Sequence, residues 1–179
     1  EVCEINRKTA EPTKLFGKDA FVYIDISSVE NGTGNLNYEN MILPSKAPSR
    51  ARRIIKNGDV LLSTVRPNLK AFAYLENLPS NALASTGFAV LTAKDNILAK
   101  YVFHLLFTNN LQNQMIGKMG KGSYPSVNQD DVEQILIPLP PLEIQKQLVA
   151  EIEEQEKIIE ANRKLIGIME QKISEVLKE

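Results

Sequence analysis

The chain has 179 residues, 43% of them hydrophobic, a single cysteine and a formal net charge of −1. That length allows one domain with a sizeable core plus an extension. The composition excludes a disulfide framework, a Cys-rich metal site and a membrane-spanning helix, and the near-zero charge excludes a uniformly basic nucleic-acid binder. The opening Glu1-Val2-Cys3-Glu4 carries no secretion signal, so a cytoplasmic location is expected and the start reads as that of an excised domain.

In chain order, Phe21 to Ile26 is rich in β-branched and aromatic residues and predicts a strand. Asn31-Gly32-Thr33-Gly34-Asn35 follows as a turn. It fits a glycosylation sequon, but turn chemistry accounts for it better without a secretion signal. Residues 44–70 hold Lys46, Arg50, Arg52, Arg53, Lys56, Arg66 and Lys70 against Asp59 alone, a local net charge of +6. Such a patch marks a candidate anion-binding face. Asn57-Gly58 turns the chain into a second strand, Val60 to Val65, and Ala71–Leu75 and Phe88–Thr92 predict two more. The spacing of these turns predicts a compact, mostly antiparallel sheet.

From Leu98 to Met115 the period changes. Tyr101, Val102, Leu105, Leu106, Leu111 and Met115 recur at helical spacing, predicting one amphipathic helix on the sheet. Asn128 before Asp130-Asp131-Val132-Glu133 predicts a capped short helix. Ile135-Leu136-Ile137 predicts a strand, and Pro138, Pro140 and Pro141 then form a rigid hinge. Beyond it Leu148, Ile152, Gln155, Ile159, Asn162, Ile166, Met169, Ile173 and Val176 alternate spacings of four and three. This is a heptad seam with two amides at its centre, which fix register at a cost in stability. A helix over 142–179 would be about 55 Å long, too long to bury its stripe on a domain of this size. A second helix is expected to cover it.

Few residues offer chemistry. Gly117 to Ser123 superficially resembles a phosphate-binding loop, but its glycine and lysine spacing is wrong and it follows a helix. His104 is the only histidine and has no acidic or Cys neighbour at ligand spacing. No methyltransferase tetrapeptide and no Gly-rich cofactor loop are present. A chain without catalytic residues, metal or cofactor of its own is expected. Two stretches remain as a binding face. Arg66, Asn68 and Lys70 end the second strand, and Lys121, Ser123 and Tyr124 occupy a Gly-rich loop. Arg and Asn suit base edges in the major groove, while Lys and hydroxyls suit phosphates. Lys46, Arg50, Arg52 and Arg53 are further phosphate candidates. A salt bridge from Arg66 to Asp59 or Glu76 is the competing explanation for that arginine.

The run Gly122-Ser123-Tyr124-Pro125-Ser126-Val127-Asn128, followed by Ile137-Pro138-Leu139-Pro140-Pro141-Leu142-Glu143-Ile144-Gln145 and a heptad helix, resembles the specificity (S) subunit of type I restriction–modification systems. Gly58 to Leu69 and the opening Glu1-Val2-Cys3-Glu4-Ile5-Asn6 resemble further stretches of that family. The resemblance implies an α+β, β-rich target recognition domain with packed helices over 1–141 and a coiled-coil spacer helix over 142–179. It implies that the domain reads one half of a split site in double-stranded DNA. It also implies partners: a methyltransferase (M) subunit that modifies adenine and, through the complex, a restriction (R) subunit. One recognition domain and one helix make half of such a subunit. The missing half would be a second copy, another S half, or the rest of a fused type IIG-like polypeptide. The reading from another class is a coiled-coil interaction scaffold that binds no DNA.

Overall fold

The structure, a computed structural model, describes residues 2–120 and 125–177. Among these residues eight strands form two sheets. β1 (Cys3–Ile5), β8 (Phe88–Ala93), β5 (Asp59–Ser63) and β6 (Phe72–Tyr74) lie in that order in the first. The second has the order β3 (Met41–Ile42), β2 (Phe21–Ile24), β7 (Ala82–Ser85) and β4 (Ala51–Ile54). All pairings are antiparallel except β2 with β7. The helices are α1 (Pro12–Phe16), α2 (Ala99–Leu106), α3 (Asn109–Lys118), α4 (Gln129–Glu133) and α5 (Leu142–Val176).

Strand alternation builds the layers. Leu61, Ala73, Phe88 and Val90 from the first sheet pack against Val22, Ile24, Ala82 and Ala84 from the second. The neighbouring residues Val60, Leu62, Phe72, Ala89 and Leu91 point the other way, onto Tyr101, Val102 and Leu106 of α2, Leu111 and Met115 of α3, and Val149 of α5. The outer face of the second sheet, Phe21, Tyr23, Ala51 and Leu83, is covered by Phe16 and Ala10. With both faces buried, these strands read as unbroken apolar runs, because successive side chains enter different cores.

The predicted strands over 21–26, 60–65, 71–75 and 88–92 form with adjusted ends. After Ile24, Asp25 takes an N-cap role by accepting from the Ser28 backbone N–H (3.1 Å), so the chain turns there. Four short strands, β1, β3, β4 and β7, lie outside the predicted set. The expected single helix over 98–115 is two helices. Thr108 is extended (ψ 147°), donates its hydroxyl to Leu105 O (2.7 Å) and accepts from Leu111 N (3.5 Å), ending one helix and capping the next. The buried Gln112 donates to Leu106 O (2.8 Å) and satisfies a carbonyl orphaned by that break. The predicted short helix is α4, and its Asn128 and Asp131 form a reciprocal capping box.

Residues 135–137 are not a strand. Gln114 donates to Leu136 O and accepts from Leu136 N, both at 2.8 Å, so a side-chain amide takes the place of a neighbouring strand. The Asn31–Asn35 segment is a turn closed on Glu30, which accepts from Asn35 Nδ2 (2.7 Å) and Thr33 Oγ1 (2.9 Å). Those two hydrogen bonds hold the Glu30 carboxyl below its ordinary value. Gly34 in this turn has φ 82°, and a Cβ there would sit 2.5 Å from the Phe103 ring, so both backbone and space demand glycine.

α5 begins at Leu142, as the proline run predicts, and runs for 35 residues, about 52 Å. Its first three turns lie on the domain, where Gln145 and Val149 are buried and Ile152 half-buried. From Glu154 to Leu177 every residue is exposed. The seam residues Ile159, Ile166, Met169 and Ile173 are each 50–58% exposed. Ile158 and Leu165, one position before two of them, widen the apolar stripe on the side away from the domain.

Candidate nucleic-acid interface

β5 ends in Ser63, whose hydroxyl donates to Val65 O (2.7 Å) and turns the chain outward. Thr64 donates its backbone N–H and its hydroxyl to Gly87 O, both at 2.9 Å. Gly87 lies in the two-residue link between β7 and β8, which steps from one sheet to the other. A Cβ there would meet Ile26 Cδ1 at 3.0 Å. In the same link Thr86 N donates to Arg50 O (2.8 Å). On the opposite side of the loop, Val127 N donates to Thr64 O (2.9 Å), Arg66 N donates to Pro125 O (2.8 Å), and Val65 bridges Ser126.

A continuous row of backbone hydrogen bonds therefore joins the turn at Arg50, the 86–87 link, the 63–70 loop and residues 125–127. It brings Arg50 of the basic stretch beside the 63–70 loop and residues 125–127, which follow the second loop marked out in the sequence. Sequence reasoning did not find Thr86 and Gly87, which tie these segments together. A Thr-Gly pair between two predicted strands was the available signal.

The loop itself is held in an unusual backbone. Arg66 (φ 48°) and Lys70 (φ 56°) are both left-handed and bracket the single turn Pro67–Leu69. Left-handed non-glycine residues cost of order 1 kcal/mol or more each and recur at functional loops. Here they bury Pro67 and leave Arg66, Asn68 and Leu69 exposed at the tip. Lys70 O accepts from Gly32 N (3.0 Å) and Lys70 Nζ donates to Phe107 O (3.5 Å), so Lys70 anchors the loop base to the 31–35 turn and α2.

Both acids weighed in the sequence as salt-bridge partners of Arg66 make other contacts. Asp59 is buried, accepting from Thr92 Oγ1 (2.6 Å) and Lys56 N (2.9 Å), and Glu76 lies 3.9 Å from Lys100.

The remaining candidates separate. Arg50 is exposed on the row described above. Lys46 is exposed at the end of the turn Pro44–Lys46, which packs on α1. Arg52 lies 3.2 Å from Glu11 in an ion pair. Arg53 is half-buried, its Nε has no hydrogen-bond partner among the described residues, and burial pulls its guanidinium below the ordinary value. The bulge between Ala51 and Arg53 displaces these two arginines from regular alternation. Lys121, Ser123 and Tyr124 lie outside the described residues.

Groups with potential chemistry sit elsewhere. Burial pushes the Cys3 thiol up, which disfavours the thiolate, and Cys3 lines an apolar cavity of about 310 Å³ with Leu91, Val102 and Ile135. His104 packs edge-on against Phe103 and lies 3.7 Å from Glu156 of α5. Burial lowers its pKa, and the carboxylates of Glu156 and Glu153 oppose that shift. Among the described residues no group of three His, Cys, Asp or Glu side chains could hold a metal ion, and no helix is long and apolar enough to cross a membrane.

Comparison with known proteins adds to this geometry. The profile of the type I restriction modification DNA specificity domain matches residues 1–178. The specificity subunit of the type I restriction enzyme HindI, from Haemophilus influenzae, is 30% identical over 127 residues, or 69% of this chain and 28% of that protein. The MjaIX specificity subunit of Methanocaldococcus jannaschii is 22% identical over 70% of this chain and 28% of its own length. The crystal structure of the HsdS subunit from Thermoanaerobacter tengcongensis superposes with a TM-score of 0.80 at 38% identity, covering 92% of this chain and 42% of that one. A structure described as showing complex assembly and conformational transition of the type I R-M system gives the same figures. The chain thus spans less than half the length of these relatives. By the profile match over residues 1–178 and the likeness to a solved specificity subunit, this chain belongs to the family of type I restriction–modification DNA specificity domains.

Proposed function

We propose that this chain is one recognition half of a type I specificity subunit. It reads one half of a split site in double-stranded DNA and directs an adenine-N6 methyltransferase and its endonuclease to that site. It contributes no catalytic group and no cofactor. The observation that carries this reading is the row joining Arg50, Thr64–Lys70 and residues 125–127 along one rim, where cationic and amide side chains stand on loops held by backbone hydrogen bonds. Loops of this kind can differ in side chain without disturbing the sheets beneath them. The bare length of α5 beyond Glu154 supports the second part of the proposal, that a second helix completes the spacer. That helix would come from another copy of this chain or another specificity half.

Roles along the rim follow from chemistry. In this reading Arg66 and Asn68, exposed at the loop tip, address base edges, and Arg50 holds phosphates. Arg66→Ala is expected to cost roughly 1–3 kcal/mol in binding and to relax sequence choice at one position of the site. Selection from randomised duplex pools measures both, and unchanged affinity with unchanged preference removes Arg66 from the interface. Arg50→Ala should instead weaken binding to every sequence alike and reduce the slope of log affinity against log salt by about one unit. Titrations at several salt concentrations, with and without a methyltransferase subunit, check this. Absence of any salt-dependent DNA binding in either condition would favour the scaffold reading.

A further inference from the structure

We propose that Gln145 and Glu153 are positioning residues: as two separate anchors they set the direction in which α5 leaves the domain, and so the separation of the two half-sites. The consequence for half-sites rests on the DNA-recognition reading above, whereas the anchoring does not.

Gln145 is polar, lies one turn into a helix, and is fully buried, with 0% exposure. Its amide is held by three backbone groups from two other segments. Oε1 accepts from Leu98 N (2.9 Å), while Nε2 donates to Pro140 O (2.8 Å) and Asn96 O (3.2 Å). Leu98 is the N-cap position of α2 and has no side-chain cap of its own. Gln145 thus ties the start of α5, the start of α2 and the proline run at one point. A buried amide with every partner in place is satisfied in one geometry only, because each lost hydrogen bond leaves an unpaired polar group out of water. A leucine could fill the same space but would accept many small rotations.

One point fixes a position but not a direction. The second anchor lies eight residues on, about 12 Å along the helix axis. There Glu153 accepts from Lys100 Nζ of α2 at 2.6 Å, and Lys100 also lies 3.9 Å from Glu76 after β6. That hydrogen bond is the largest cause of the raised Lys100 pKa. Both anchors grip α2, which is packed on the first sheet.

The lever arm gives the arrangement its consequence. Val176 lies 31 residues beyond Gln145, about 47 Å away. A tilt of about 10° would move that end by roughly 8 Å, or about two base-pair steps of 3.4 Å. A spacer of this length needs a rigid root to discriminate between neighbouring separations.

Spin labels at Lys18→Cys and Glu170→Cys in a Cys3→Ser background, diluted with unlabelled chain, report the angle as a distance distribution by pulsed electron resonance. The parent should give one narrow distribution. Gln145→Met, with similar length and no hydrogen bonds, should broaden it at least twofold. Glu153→Ala, at a position exposed enough to leave folding intact, should broaden it less. A distribution as narrow in Glu153→Ala as in the parent overturns the two-anchor account even if Gln145→Met does not fold. A folded Gln145→Met with the parent width overturns it equally. In the assembled complex, both substitutions should also loosen the preference for one half-site separation. Broadening without that loosening overturns the link to half-site separation. A parent complex with no sequence preference overturns the DNA reading and leaves the anchoring standing.

Discussion

Replacing Ile159 and Ile166 together with Asp is expected to abolish pairing of α5 with a second helix while leaving the globular part folded. Both side chains are exposed in the single chain, at 50% and 56%, and neither belongs to a core cluster. The substitutions therefore remove no buried core side chain. In a paired seam each isoleucine would contribute about 1.5–3 kcal/mol by burial. An aspartate there would also have to lose its hydration on entering the seam, at a further cost of several kcal/mol. The combined penalty exceeds about 6 kcal/mol, more than four orders of magnitude in an association constant. Light scattering across a concentration series measures it, with the thermal midpoint of the domain as control. A parent chain that remains monomeric at high micromolar concentration points to a second helix from a different polypeptide. Complex formation by the doubly substituted chain at parental strength would show that the seam is not the contact.

Phe72→Ala should cost about 3–5 kcal/mol of stability. Phe72 is 0% exposed in β6, and its ring meets Phe107 edge-on at a centroid distance of 5.5 Å. Removing it deletes a large buried surface and leaves a cavity beneath the loop that ends at Lys70. The thermal midpoint should fall by roughly 10 °C for a chain of this size. The consequence for recognition is specific, because Phe107 also holds Lys70 Nζ through its carbonyl. Below the new midpoint, the Phe72→Ala domain is expected to bind DNA with a reduced distinction between sequences, since the loop tip loses its fixed base. Chemical denaturation and pool selection on the same protein test the two effects together. Unaltered selectivity in a destabilised domain would separate the loop from its support.

The heptad helix was legible because its signal is local. Nine residues from Leu148 to Val176 repeat at spacings that only one backbone geometry places on one side. The capped helix α4 was legible for the same reason, since Asn128 and Asp131 satisfy each other within four residues. The break between α2 and α3 was written in Thr108-Asn109-Asn110, but apolar periodicity on either side concealed it. Residues 135–137 were misread for the opposite reason. Their composition suits a strand, and the pairing they would need is supplied by the side chain of Gln114, 22 positions away.

The candidate site divides along the same line. The residue types of the basic stretch and of both loops were visible in the sequence, but nothing local showed that Arg50, Thr64 and Val127 lie on one row. Alternation in fully buried strands is silent, because both faces are apolar. The sequence therefore could not say which face of β5 or β8 meets the second sheet, nor that β2 pairs in parallel with β7. That stacking places the 86–87 link beside Thr64, and the row from Arg50 to Val127 follows from it. It also separates Arg52, drawn to Glu11, from Arg50 two residues earlier.

By itself the sequence determined the long helix, its seam, the proline junction and the family to which these belong, since each is a matter of residue type at short spacing. Only the tertiary structure decided which loops share a rim and which polar residue roots the helix. Gln145 shows the difference. In the sequence it is one glutamine in a charged helix, and burial against Asn96, Leu98 and Pro140 makes it the point where that helix meets the domain. Such a role depends on groups distant along the chain arriving together, which packing enforces and local periodicity does not record.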